Sequence, residues 1–238
     1  MSGWTAKRFW KAAEVVAAPR GFTVHLDGRP VKTPAKAPLV VPTRTMADAM
    51  AAEWGAQTDK IDPRTMPVTR SANAAIDKVR PQHAEVVALM AEYGGTDLLC
   101  YRAATPQRLV TRQSEAWDPL LAWAEATFGA RLTPTEGIVP IAQPGPALAA
   151  LAAQVAVMNE FQLTALHDLV AISGSLVLGL AVARGHLCAD DAWTLSRIDE
   201  DWQIEQWGSD DEAMAEAAIK RAALVHAHRF WSLSTDAG

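Results

Sequence analysis

The strongest constraint on the fold is the helical spacing of apolar residues, which continues from about residue 70 towards the C-terminus. Such spacing places the apolar side chains on one face of an α-helix. Proline and glycine end helices, and here Pro81, Gly94, Gly95, Gly129 and Gly185 separate the stretches. The pattern predicts helices at about 70–79, 82–93, 107–128, 146–158, 160–184, 189–207 and 210–232.

The first forty residues have a different pattern, typical of β-strands. Asp27 and Gly28 stand between β-prone segments at 22–26 and 29–32. An Asp-Gly pair favours the tight turn of a hairpin, because both turn positions need a positive φ. The segment 38–42 could add a third strand, since its bounding prolines suit strand ends.

A helix with one apolar face is predicted next, with Thr43 or Thr45 as its N-cap and its end near Gln57. The proline-containing segment 58–69 is predicted to be a loop that separates two parts of the chain. The expected fold is therefore α+β and mainly α, with a small N-terminal β-rich domain (1–65) and a larger multihelical domain (66–238).

Composition argues against nucleic acid and membrane partners. The net charge is −5, and binding to a phosphate backbone needs clustered Lys and Arg. The most apolar stretch, 169–182, is flanked by Asp168 and Arg184. It is shorter than the roughly 20 residues that span a bilayer, so we expect a buried helix and no membrane insertion.

Signatures of catalysis, cofactors and metals are absent from the sequence. There is no phosphate-binding P-loop, no dinucleotide-binding glycine motif and no nucleophile elbow. Cys100 and Cys188 are isolated, which suits a reducing compartment better than a disulfide framework or a zinc site. The N-terminus lacks a signal-peptide pattern. We therefore expect a cytoplasmic protein without cofactor or metal.

The stretch 199–212, "DEDWQIEQWGSDDE", contains seven carboxylates and two tryptophans but no Lys or Arg. On one continuous helix over 189–207, apolar residues fall on two nearly opposite faces. The first face holds Cys188, Ala192, Leu195, Ile198 and Trp202. The second face holds Trp193, Ile204 and Trp207, with Glu200 among them. One face could belong to the core and the other to a partner.

Several interpretations of this stretch are possible. Asp201 and Glu205 could bind a hard cation, but the Glu-x-x-His pairs of carboxylate metal sites are missing. A small hydrolase could use Glu200 and Glu205 as an acid/base pair. The acids could also simply be solvated. Tryptophan is enriched at binding hot spots, and an acidic rim favours a basic partner, so the stretch also suits protein docking.

Four ordered segments together resemble a known family, the F1-ATPase assembly chaperones that bind the alpha subunit of ATP synthase in mitochondria and alphaproteobacteria. The resemblance covers about residues 7–230. The segments are "GFTVHLDGRPVKTPAKAPLVVPT", "AMAAEWGAQTDKIDPRTMPVTRSANAAID", "TDLLCYRAATPQRLVTRQSEAWDPLLAW" and "LAVARGHLCADDAWTLSRIDEDWQIEQWGSDDEA".

The resemblance implies a non-enzymatic protein that holds the free alpha subunit until beta subunits replace it. It also implies a bacterial cytoplasmic protein, or one of the mitochondrial matrix after removal of a presequence. The Gln-x-Glu-x-Trp-Gly motif of the family, linked to chaperone action, stands at Gln203, Glu205, Trp207 and Gly208. Its Glu-Trp-x-x-Gln motif stands at Glu53, Trp54 and Gln57.

The candidate partner-binding residues are therefore Glu200, Trp202, Gln203, Glu205 and Trp207. For Glu205, an intramolecular ion pair or helix cap is an equally good interpretation. For Trp54, core packing is favoured over contact with a partner, because it lies on the apolar face of its helix.

Overall fold

The computed structural model describes residues 7–137 and 139–235, and it confirms an α+β fold that is mainly α-helical. The described residues form two compact units. The first unit comprises 7–83, 159–165 and 229–235, and the second comprises 84–137, 139–158 and 166–228. The predicted domain ranges, 1–65 and 66–238, include residues outside the described part, and they stay a prediction.

The first unit contains a four-stranded antiparallel sheet centred on its second strand. The strands are β1 (Ala13–Ala18), β2 (Gly21–Leu26), β3 (Arg29–Pro30) and β4 (Val40–Val41). β2 pairs with each of the others. Between β2 and β3, Asp27 and Gly28 have φ values of 47° and 78°. The predicted Asp-Gly turn is confirmed.

Two helices, α1 (Arg44–Gly55) and α2 (Pro67–Ala74), follow the sheet in the first unit. Thr43, one of the two N-cap candidates from the sequence, caps α1: its side chain accepts a hydrogen bond from the Met46 amide at 3.1 Å. The core of the unit contains Val24, Leu26, Val41, Met46, Met50, Val68 and Ala72, and it also includes Phe161, Ala165 and Phe230.

Glu53 connects α1 to α2. Its two carboxylate oxygens accept hydrogen bonds from the backbone amides of Val68 (2.7 Å) and Thr69 (2.8 Å). The first amides of a helix have no partner inside the helix. A carboxylate at this end also interacts favourably with the helix dipole. Glu53 therefore caps α2 from a neighbouring helix.

Gln57 and Trp54 have structural contacts in the same region. The Gln57 side chain is buried and bridges the loop, donating to the Glu53 carbonyl and accepting from the Asp62 amide at 2.7 Å. Trp54 packs edge-to-face against Trp10, with ring centroids 5.2 Å apart. Trp54 is thus packed against the core, as the sequence favours.

The remaining elements follow in chain order. They are α3 (His83–Glu92), β5 (Tyr101–Arg102), α4 (Gln107–Phe128), β6 (Thr135–Glu136), α5 (Gly145–Ala156), α6 (Glu160–Ser173), α7 (Leu176–Ala183), α8 (Ala189–Ser196), α9 (Ile198–Trp207) and α10 (Asp211–Thr235). Most predicted helices are present with bounds close to those expected. The prediction of single helices over 160–184 and 189–207 is wrong, because each is split in two.

The first split separates α6 from α7. The Ser175 side chain accepts a hydrogen bond from the Leu178 amide at 3.0 Å and so starts a new helix. The fully buried Asp97 reinforces this start, because it accepts from the Ser175 hydroxyl (2.7 Å) and the Val177 amide (3.0 Å).

The second split separates α8 from α9 at Arg197. The indole N–H of the fully buried Trp117, on α4, donates to the Leu195 carbonyl at 2.9 Å. In a continuous helix that carbonyl would accept from the amide four residues later. A side chain that takes over this acceptor interrupts the ladder of hydrogen bonds.

The two cysteines have contrasting environments, and both are free thiols. Cys100 is buried, and its burial raises the pKa of the thiol to about 12. Cys188 is exposed and caps the start of α8 through its sulfur.

Candidate functional site

Half of the residues of the acidic stretch line a groove between α8 and α9 on one side and α10 on the other, about 1000 Å³ in volume. We name it the α9–α10 groove. Its first wall is formed by Trp193, Arg197, Glu200, Asp201, Gln203, Ile204 and Trp207. Its second wall is formed mainly by Met214, Ala217, Ala218, Arg221 and Val225, and it also includes the ion pair of Glu216 and Lys220.

Each wall is a stripe of residues at helical spacing. On α10, the positions from Met214 to Val225 recur at intervals of three and four residues and so share one face. On the other wall, Trp193, Ile204 and Trp207 are the apolar residues. They belong to the second apolar face predicted from the sequence, and they line one groove despite the break at Arg197.

The groove has large apolar side chains in contact with solvent. Trp207 is 81% exposed and Met214 is 53% exposed. Trp193 and Ile204 are half-buried. By contrast, Ala192 and Ile198 of the first predicted face are buried, although Cys188 at its start is exposed. One side of this region therefore supports the core, and the other is open.

A tight turn joins the two walls at one end of the groove. Gly208, with φ 89°, ends α9, and its amide donates to the Ile204 carbonyl at 2.8 Å. A positive φ suits glycine, which has no Cβ to clash. The Asp210 side chain then accepts from the Ala213 amide at 2.8 Å near the start of α10.

An ion pair connects the walls farther along the groove. Arg221 on α10 contacts the Asp190 carboxylate on α8 at 2.7 Å. Arg197 contacts Asp201, four positions later, at 3.6 Å. The Arg197 guanidinium also lies over the Trp193 ring, 5.1 Å from its centroid. These cations are therefore already engaged within the protein.

Several acids around the groove have no such cation. Among the residues that the structure describes, no Lys or Arg forms an ion pair with Glu200, Asp210, Asp211 or Glu212. Glu200 and Asp210 line the groove itself. The α9–α10 groove thus combines an apolar interior with uncompensated negative charge.

The back of α9 is fixed to α4 by two polar contacts. Glu205 forms an ion pair with Arg112 at 2.7 Å, and Asp199 accepts a hydrogen bond from the Gln113 side chain at 2.5 Å. The acidic stretch therefore has two parts. Asp199 and Glu205 hold the helix in place, and Glu200 and Asp201 face the groove.

The candidate residues from the sequence divide in the same way. Glu200, Gln203 and Trp207 line the α9–α10 groove. Trp202 is half-buried and does not line it. Glu205 also lies outside the lining, and its intramolecular ion pair is the arrangement that the sequence left open beside an interface role.

None of the candidate residues from the sequence lies on α10, although this helix forms the second wall of the groove. Met214, Arg221 and Val225 complete the groove. Their spacing indicates one face of a helix, but it does not distinguish a face that packs in the core from one that remains open.

The described residues contain neither a metal-binding cluster nor a membrane-spanning helix. Within 7–137 and 139–235, no three His, Cys, Asp or Glu side chains are grouped so as to hold a metal ion. No helix in these ranges is long and apolar enough to cross a bilayer.

Comparison with known proteins gives consistent results. A family model described as the ATP12 chaperone protein matches residues 7–125. A crystal structure of Atp12 from Paracoccus denitrificans superimposes with a TM-score of 0.94 at 51% identity, over 96% of this chain and 98% of that chain. An Asp-to-Lys variant of the Paracoccus protein also matches, with a TM-score of 0.94 at 50% identity and the same coverage.

A more distant relative is the mitochondrial protein atp12 of Schizosaccharomyces pombe. It is 25% identical over 219 residues, which are 87% of this chain and 75% of that protein. The fold and these similarities define an assembly chaperone of the ATP synthase. The chain belongs to the ATP12 chaperone family.

Proposed function

We propose that this chaperone binds the unassembled alpha subunit of F1-ATPase and prevents its aggregation until beta subunits replace it. It does so without a cofactor and without catalysing a reaction. Membership of the ATP12 family supports the assembly role. The alpha subunit as partner follows from the resemblance of the four sequence segments.

The observation that carries the proposal is the exposure of Trp207 beside an open apolar groove. Trp207 is 81% exposed, so it does not gain most of the favourable free energy that burial of its side chain would provide. Contiguous apolar surface rimmed by polar groups marks sites of protein interaction. A partner that covers Trp207, Met214 and Ile204 would recover that free energy.

The physical properties of the groove suit a temporary complex. A subunit without its neighbours exposes apolar surface and aggregates. Its chaperone must cover this surface and later release it, so moderate contact area and polar contacts are favoured over maximal burial. The groove mixes alanine and exposed apolar side chains with charged residues, as such binding requires.

The proposed contact residues are Glu200, Gln203 and Trp207. We propose that Glu205 acts mainly by positioning α9, because Arg112 already neutralises it. A contact of Trp202 with the partner stays a prediction, since this side chain lies outside the groove.

A small hydrolase that uses Glu200 and Glu205 has less support. Five positions apart on a helix, these side chains point about 140° from each other. Glu200 lines the open groove, and Glu205 faces Arg112 on α4. A catalytic carboxyl pair must instead converge on one bond.

The relatives include one mitochondrial protein and one bacterial protein, and this supports a location in a compartment where the alpha subunit is assembled. We therefore propose the bacterial cytoplasm, or the mitochondrial matrix for a eukaryotic source.

The proposal is tested by diluting denatured alpha subunit into buffer with and without an equimolar amount of this protein. We expect the protein to suppress light scattering and to elute with alpha in size-exclusion chromatography. Trp207→Ala should weaken the complex by about tenfold or more, because interface tryptophans commonly contribute about 2 kcal/mol. It should leave the melting temperature nearly unchanged, because the side chain is exposed.

Val157→Ala is the matched control, because Val157 is also largely exposed but lies outside the groove. We expect this variant to protect alpha fully. Aggregation of alpha at the same rate with and without the wild-type protein, and no co-elution, would refute the proposed function.

A further inference from the structure

Both walls of the α9–α10 groove are helices, and this limits what can bind between them. A bound β-strand needs a sheet edge whose backbone N–H and C=O groups are free. Backbone groups within a helix already bond to each other. Apart from the turn at Gly208, the walls therefore offer side chains, arranged in two apolar stripes, and such a surface suits the apolar face of another helix.

The size of the groove agrees with a helical occupant. A helix rises about 1.5 Å per residue and is about 10 Å wide, so two turns occupy roughly 850 Å³. The groove volume is about 1000 Å³. The stripe from Met214 to Val225 extends over about 16 Å of α10. Two to three turns of helix fit this length.

The charge of the groove defines the chemistry of that helix. The three cations that line the groove, Arg197, Lys220 and Arg221, are paired with Asp201, Glu216 and Asp190. Glu200 and Asp210, in contrast, have no cationic partner among the described residues. A bound helix would bury these carboxylates partly, and a buried carboxylate is costly unless it is paired. The occupant therefore needs Lys or Arg beside its apolar stripe.

We propose that the α9–α10 groove binds an amphipathic helix of the alpha subunit, two to three turns long, with Lys or Arg flanking its apolar face. The apolar face packs between Ile204 and Trp207 on one wall and Met214 and Ala218 on the other. Its cations pair with Glu200 and Asp210. This inference rests on the proposed function and specifies the segment of the partner that is recognised.

The first test fills the groove. Ala218 is exposed and lines the groove, so Ala218→Trp should occupy the space without disturbing the fold. The matched control is Ile219→Trp on the same helix, because Ile219 is exposed and lies outside the groove. We expect Ala218→Trp to weaken binding of alpha by at least tenfold and Ile219→Trp to change it less than twofold. Equal effects of the two variants would overturn the inference.

The second test identifies the segment that binds. A photo-crosslinking amino acid, benzoyl-phenylalanine, is placed at position 218 or at position 219 in complexes with full-length alpha. Mass spectrometry should map the crosslinks from position 218 to one helical segment with apolar residues at i, i+3 or i+4 and i+7, and with Lys or Arg beside them. Crosslinks to an extended strand or to an acidic segment would refute the inference.

The third test changes the charge. Glu200→Lys should weaken binding at least fivefold at low salt, and much of the difference should disappear at 0.5 M salt as charges are screened. Glu115→Lys is the control, since Glu115 is exposed in the middle of α4 and away from the groove. An equal loss for both variants would indicate a general charge effect and would contradict the role of Glu200.

The outcomes separate this inference from the proposed function. If the wild-type protein protects alpha and Ala218→Trp protects it equally well, the function stands and the groove is not the binding site. If sedimentation shows a dimer of this chain that Ala218→Trp disrupts while alpha binding is unchanged, the groove binds a second copy and the inference fails.

Discussion

At the scale of single residues, Asp97 has the most unusual environment of the charged groups described above. It is fully buried, and burial raises the pKa of its carboxyl to about 6. Hydrogen bonds from Val177, Ser175 and Leu99 favour the ionised form and limit the rise. The carboxyl is retained in the core because it joins the start of α7 to the segment at 98–100.

This environment predicts a pH-dependent contribution to stability. The pKa of Asp97 is near 3.8 in the unfolded chain and about 6 in the folded protein. Between these values the folded state binds the proton more tightly, so the contribution of Asp97 to the free energy of unfolding falls as pH rises and is constant above about pH 7. The loss should approach roughly 3 kcal/mol.

Urea denaturation of the wild type and Asp97→Asn at pH 4.5, 5.5 and 7 measures this contribution. Asparagine does not titrate, so the stability of the variant relative to the wild type should improve steadily over this range. A constant difference in the free energy of unfolding would contradict the prediction.

At the scale of elements, α9 is positioned by α4 rather than by its own neighbours in sequence. Trp117 breaks the helix before it, and Arg112 and Gln113 hold its back through Glu205 and Asp199. Because α9 forms a wall of the α9–α10 groove, its orientation controls the shape of the site.

A charge exchange tests this positioning. Glu205→Lys places two cations side by side, and it should weaken the protection of alpha several-fold. The free energy of unfolding should change by less than about 1 kcal/mol, because Glu205 is 49% exposed and Arg112 is 40% exposed. The double variant Arg112→Glu with Glu205→Lys restores the pair and should recover protection, as measured by light scattering with unassembled alpha. Failure of the double variant would instead indicate direct contact of Glu205 with alpha.

The elements show which features the sequence can predict. The Asp-Gly turn, the Thr43 cap and most helices depend on neighbouring residues, so local patterns predict them. The breaks at Ser175 and Arg197 depend on Asp97 and Trp117, which are 78 positions from their partners Ser175 and Leu195. β1 is also missing from the prediction. The Asp-Gly turn identifies β2 and β3, but it does not identify the strand that pairs with the other edge of β2.

The candidate site also combines features that depend on neighbouring residues with features that depend on distant ones. The residues of the α9 wall belong to one continuous sequence motif and could be predicted. The α10 wall could not, since it depends on the angle at which α10 leaves Gly208. The ion pair of Glu205 with Arg112 cannot be predicted from local spacing either, because the two residues are 93 positions apart in the sequence.

At the scale of the whole molecule, distant parts of the chain share one core. Phe161, Ala165 and Phe230 pack with the sheet, α1 and α2 in the first unit. The predicted boundary near residue 65 concerns the order of elements along the chain. It does not specify which later segments return to the N-terminal sheet.

This shared core gives Phe230 an effect far from its position in the sequence. Phe230 is 1% exposed, so Phe230→Ala should reduce the free energy of unfolding by about 3–5 kcal/mol. Hydrogen exchange of β2 amides should accelerate, because the cavity lies in the core of their unit. Val225→Ala, at a partly exposed position on the same helix, should leave β2 exchange unchanged. Unaltered β2 exchange in Phe230→Ala would contradict the shared core.

The different environments of the two cysteines have a practical consequence. A maleimide dye reacts with the thiolate of an accessible cysteine, and the thiol of Cys100 is both buried and hard to deprotonate. Cys188, exposed at the start of α8, is therefore the position where a fluorophore should attach. The unaltered chain thus provides a single-site reporter on a wall helix of the groove, suited to following the proposed capture and handover of the alpha subunit in real time.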